Sequence, residues 1–162
     1  MYKFIIDSDA LIKLTKSGIL ELICHHCNCI ITTEVKNECV DEGKKRLYKD
    51  ALEIEEIINK KLMKVIELKR TRKVNENLGR GELSSVNLYF QEKNSCIITD
   101  DSAFINYLEE NNIKFFVPAD VILLMKISNK VDKKTALIHL EKIKDLIREE
   151  VYNDIKKDIK GA

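Results

Sequence analysis

The chain has 162 residues, 44% of them hydrophobic, which suits one domain with one sizeable core and leaves little room for two. Its 28 Lys and Arg stand against 27 Asp and Glu, a formal net charge of +1, so a nucleic-acid partner would be held by local basic patches rather than by a strongly basic whole. Asp7 interrupts the first apolar run in a way no signal peptide tolerates, no stretch nears the roughly 18 apolar residues of a membrane span, and Cys24, Cys27, Cys29, Cys39 and Cys96 lack framework spacing; a cytoplasmic protein with free thiols is expected.

Short runs rich in Ile, Val and Phe predict strands over 4–7, 29–32, 64–67, 96–99 and 114–117. Between them, apolar residues three and four apart predict helices over 10–16, 20–24, 34–43, 46–59, 82–93, 102–110 and 119–128. A last amphipathic stretch over 133–157, carrying Leu137, Leu140, Ile143, Ile147 and Val151, reads as one long helix or two. Its apolar stripe must be buried on the core, a partner or a second copy of the chain. Strands alternating with helices predict a three-layer α/β/α domain with a parallel sheet of about five strands. The whole of 1–162 reads as a single domain, with a core over about 1–127 and a helical extension over about 130–160.

Four acids stand where such a sheet places its ligands, beyond the carboxyl ends of strands. Asp7 closes the first strand and Asp100 the fourth; Glu82 follows Gly79-Arg80-Gly81 at a helix start, and Glu38 lies in Thr33-Glu34-Val35-Lys36-Asn37-Glu38. Taken singly, each has a plain structural role: Asp7 and Asp100 as N-caps, Glu82 as compensation for a helix dipole, Glu38 as part of a solvated face. A carboxylate directly after a buried apolar run is nonetheless costly unless a positive charge offsets it, and a divalent cation would.

These residues resemble the PIN-domain ribonucleases over roughly the first 125 positions. The segments that carry the likeness are Phe4-Ile5-Ile6-Asp7-Ser8-Asp9-Ala10-Leu11-Ile12, Ile31-Thr32-Thr33-Glu34-Val35-Lys36-Asn37-Glu38, Leu78-Gly79-Arg80-Gly81-Glu82 and Ile97-Ile98-Thr99-Asp100-Asp101, in the family's order. The resemblance implies a nuclease centre holding Mg²⁺ or Mn²⁺, with Asp7, Glu38, Glu82 and Asp100 as its catalytic acids and metal ligands and Asp101 in support. It looks closest to compact archaeal and bacterial members, which include VapC-type toxins restrained by an antitoxin. Two positions depart from the pattern: Glu82 stands where many toxins carry Asp, and Asp9 where the family usually has a small polar residue.

A cluster of acids repels RNA until metal binds, so basic residues are needed at its rim. Arg70, Arg72, Lys73 and Arg80, just ahead of Glu82, are the expected RNA contacts, with Lys44-Lys45-Arg46 a second basic run. Cys24-His25-His26-Cys27-Asn28-Cys29 supplies only half of a zinc site and reads as a turn between helix and strand. The expected function is metal-dependent hydrolysis of RNA phosphodiesters, as a toxin of a toxin–antitoxin pair or otherwise, with RNA, an antitoxin and a second copy as partners and no membrane. The alternatives are a catalytically silent RNA- or protein-binding module of this fold and a nuclease acting on structured DNA.

Overall fold

The computed structural model describes residues 3–71 and 77–161. The strands are β1 (Lys3–Ile6), β2 (Asn28–Thr32), β3 (Met63–Ile66), β4 (Ser95–Ile98) and β5 (Phe115–Phe116), each within two residues of its expected bounds. They form one sheet in the order β3-β2-β1-β4-β5, and every pairing is parallel.

Side-chain alternation along the strands builds two cores. Ile5, Ile30 and Ile97 point to one face, where Val86, Leu88, Phe104 and Leu108 cover them. Phe4, Ile6, Cys29, Ile31, Cys96 and Ile98 point to the other, against a larger cluster. Because both faces are covered, the strands read as nearly continuous apolar runs. Full burial of each such side chain stabilises the fold by about 1.5–3 kcal/mol.

The first face carries α6 (Arg80–Gln91) and α7 (Ser102–Glu110); α1 (Ser8–Ser17), α2 (Leu20–His26), α5 (Lys49–Asn59) and α8 (Pro118–Ile127) supply the second core. The helix expected over 34–43 spans α3 (Thr33–Lys36), a π-helical turn (Asn37–Asp41) and α4 (Glu42–Lys45), with Thr32 capping it through the Val35 amide at 3.2 Å. The helix expected from residue 46 starts instead at Lys49, because Leu47 adopts a left-handed backbone (φ 60°) that ends the preceding turn. The C-terminal stretch is two helices, α9 (Lys133–Lys142) and α10 (Glu149–Gly161), separated by a 3₁₀ turn. Its Leu140, Ile143, Tyr152, Ile155 and Ile159 are buried in the larger cluster, so the apolar stripe is spent on the chain's own core. Among the described residues no helix is long and apolar enough to cross a membrane.

Candidate active site

β1 and β4 are neighbours, yet the chain leaves β1 toward β2 and leaves β4 toward β5 on the opposite side. A crevice opens beyond their carboxyl ends at such a reversal. Ile6 pairs with Ile98, which places Asp7 and Asp100 at the lip of that crevice. Both are buried, with 3% and 9% of their surface exposed.

Asp7 occupies the N-cap position of α1 but makes no side-chain capping bond; its Oδ2 accepts from Thr99 Oγ1 at 3.1 Å. Burial pushes its carboxyl up to about 7, against the lowering effect of hydrogen bonds from the Ser8 backbone and Thr99, and the charges of Glu82 and Asp9 push the same way as burial. Asp101 does cap: it accepts from the Phe104 amide at 2.8 Å and starts α7. Asp100 Oδ2 accepts from Lys13 Nζ at 2.7 Å, while Asp100 Oδ1 is buried with no hydrogen-bond partner among the described residues. Lys13 also reaches Asp9 at 2.8 Å. Burial pulls the Lys13 ammonium down, but the bonds to Asp100 and Asp9 outweigh it and hold the group above the usual lysine range.

Glu38 sits on the π-helical turn, a wide turn frequent at functional sites. It accepts from Ser8 Oγ and, at 3.2 Å, from the Gly81 amide. A Cβ on Gly81 would lie 2.7 Å from Glu38 Oε2, so only glycine lets the carboxylate approach the start of α6 this closely. Glu82 folds back to the Gly79 amide at 2.9 Å, the return half of a capping box. Burial raises its carboxyl, the Gly79 bond lowers it, and the charges of Asp101 and Glu38 raise it further. Thr32 and Ser84 hydroxyls, 2.6 Å apart, tie the end of β2 to α6 and so bring the Glu38 and Glu82 segments together.

The four expected acids therefore gather at one end of the sheet, each tied to a protein donor. Among the described residues no three Asp, Glu, His or Cys side chains converge tightly enough to hold an ion as they stand. The donor chemistry nevertheless fits a hard divalent cation: the acids offer oxygen only, and the bare Asp100 Oδ1 is an acceptor whose burial a cation would offset. Asp7 and Asp100 are the buried pair and Glu38 and Glu82 the flanking pair.

Four participants were not singled out from the sequence. Ser8 and Thr99 adjoin Asp7 and Asp100 in the chain, and Lys13 follows Asp9 by one helical turn, a spacing that was there to be noticed. Asp120 had no such signal: it bonds the Val117 amide at the start of α8, and burial raises its carboxyl, the amide lowers it, and the charge of Asp100 raises it again.

Of the expected RNA contacts, Arg80 is the exposed first residue of α6, beside Gly81 and Glu82. Arg70 lies with Lys69, Asn87 and Phe90 around a cavity of about 390 Å³ farther along α6, and its carbonyl accepts from Gln91. Arg72 and Lys73 fall outside the described residues. Lys44 and Lys45 pair with Glu55 and Glu42, whereas Arg46 makes no ion pair among the described residues. Cys24 and Cys29 are buried and Cys27 half-buried, all free thiols; hydrogen bonding to Cys24 and burial push the Cys29 thiol strongly up.

A family model described as a PIN domain matches residues 3–160. Among solved structures, a PilT N-terminus domain protein from the hyperthermophilic archaeon Sulfolobus solfataricus superposes with a TM-score of 0.53 at 17% identity, covering 73% of this chain and 88% of that one. At that identity the likeness is one of fold. Among curated proteins none matches the sequence.

Proposed function

From the premise that this chain belongs to the PIN-domain family, whose members are generally nucleases, we propose that it is a divalent-metal-dependent endoribonuclease working through Asp7, Glu38, Glu82 and Asp100. The observation that carries the reading is the pair Asp7 and Asp100, buried at the ends of adjacent parallel strands, one with its carboxyl raised to about 7 and the other with an oxygen that has no hydrogen-bond partner among the described residues. A fold that only needed caps would not bury two carboxylates side by side at this cost.

Asp7 and Asp100 would hold the cation, Mg²⁺ or Mn²⁺, with Glu38 and Glu82 beside it and Asp101 in support through its charge and its cap on α7. When bound, such an ion neutralises the cluster and stabilises the charge that develops on the phosphate. Thr99 orients Asp7 through one oxygen. Lys13 fixes Asp100 and offsets its charge. Glu82, whose carboxyl burial holds above the usual glutamate range, stands beside the cluster as the acid to take a proton from the attacking water. Glu38 is held by Ser8 and Gly81 so that its charge faces the same crevice. Arg70, Arg72, Lys73 and Arg80 would contact the RNA backbone ahead of the site.

The test is a panel of single-stranded RNA and DNA incubated with Mn²⁺, Mg²⁺ or EDTA, using the native chain and Asp100→Asn. RNA cleavage that needs metal and drops at least about 100-fold in the variant is expected, in line with loss of a group acting on the transition state. Undiminished cleavage by Asp100→Asn, or none by the native chain with either metal, would overturn the assignment.

A further inference from the structure

Beside Glu38, the α4–α5 corner forms a cavity of about 280 Å³. Its floor is apolar, built on Ile12 and Ala51, and Gly43 packs so close to Ala51 that a Cβ there would lie 2.9 Å from the Ala51 methyl. Tyr48 stands at the mouth with 53% of its surface exposed. Asp50 and Arg46 complete the rim.

We propose that this cavity is a subsite for one guanine base of the RNA, seated next to the bond that is cut; the proposal rests on the ribonuclease reading above. Charge decides between the parts of a nucleotide. Glu38, Glu42 and Asp50 line the cavity with Arg46, and Lys45 and Lys16 pair with Glu42 and Asp50, so the rim carries no excess cation to hold a phosphate, whereas the apolar floor suits a neutral base. The volume takes one ring system, and an exposed tyrosine over an apolar floor is the surface on which unstacked RNA bases settle.

The polar groups select among the bases. Lys16 pairs with Asp50 Oδ2 at 3.6 Å, beyond hydrogen-bond distance, and Asp50 accepts no hydrogen bond among the described residues, so the carboxylate keeps its capacity to accept from a base. An ionised carboxylate only accepts, and the Watson–Crick edge of guanine presents two adjacent donors, N1–H and the N2 amino group. Arg46, without an ion pair among the described residues, donates to the neighbouring O6. Adenine, cytosine and uracil each offer a single donor position along that edge and leave one carboxylate oxygen unmatched. A missing partner in a half-buried polar site is the stronger part of such discrimination.

The experiment titrates the full chain, metal-free in EDTA, with guanosine, adenosine, cytidine and uridine, and follows backbone amide resonances. Guanosine is expected to shift the Gly43, Tyr48 and Ala51 amides saturably, at least about tenfold more tightly than the other three. Tyr48→Ala, which removes only the stacking face, should weaken guanosine about tenfold. Asp50→Asn should do the same and abolish the preference over adenosine, because an amide offers one donor and one acceptor. With Mn²⁺, the ends of cleaved RNA should fall beside guanines for the native chain and lose that bias in Asp50→Asn. Shifts elsewhere, equal shifts by all four nucleosides, or none would overturn the subsite while RNA cleavage, if present, left the nuclease reading standing. Selective guanosine binding without any cleavage would do the reverse.

Discussion

At Asp7 the cost of the site can be measured directly. A carboxyl whose folded pKa of about 7 lies above its ordinary 3.8 binds its proton more tightly when folded. Its contribution is therefore fully present below the unfolded value and is lost as pH rises to about 7, a loss on the order of 4 kcal/mol. Metal-free protein should accordingly become less stable to urea between pH 4 and 7. Asp7→Asn should flatten that slope while losing RNA cleavage, and an unchanged slope would show that burial of Asp7 is not the cause. Gly81 tests the opposite coupling. In Gly81→Ala the new methyl meets the flexible end of Glu38, so stability should stay within about 1 kcal/mol of the native chain. Displacing that carboxylate should nonetheless lower cleavage tenfold or more, read as kcat/KM beside a thermal melt.

Among the elements, the C-terminal pair has the clearest consequence. An amphipathic stretch with charged faces leaves open whether it docks on its own domain or on a partner. Here Tyr152, Ile155 and Ile159 of α10 share one core with Ile122 and Met125 of α8, so the pair belongs to the domain. Ile159 is fully buried, and Ile159→Ala should cost about 2–5 kcal/mol in chemical denaturation, as a core truncation does. A cost below 1 kcal/mol would mean that α10 is peripheral. In the first third of the chain, the π-helical turn and the left-handed Leu47 reshape one expected helix and delay the next, and the segment they shape lines the cavity proposed for guanine.

For the molecule as a whole, a net charge of +1 means that, on the ribonuclease reading proposed above, RNA would be held by a few contacts around an acidic centre. Replacing Arg70 and Arg80 together by Ala should flatten the dependence of log affinity on log salt by about two, measured on a catalytically silent Asp100→Asn background. An unchanged slope would remove both from the RNA path.

The amino-acid sequence by itself determined the sheet and its helices, because side-chain period is a local property: apolar runs such as 4–7 and 96–99 are unambiguous when both sheet faces are buried. It also determined which acids stand at strand ends, since Asp7 and Asp100 follow those runs directly. Only the tertiary structure decided that Asp7 turns to Thr99 while Asp101 caps, that Lys13 of α1 reaches Asp100 of another strand's loop, and that Asp120 joins them. These are contacts between positions up to 92 residues apart, and local propensity holds no record of them. The cavity at Tyr48 and Asp50 belongs to the same class, because it exists only where α1, the π-helical turn and α5 meet.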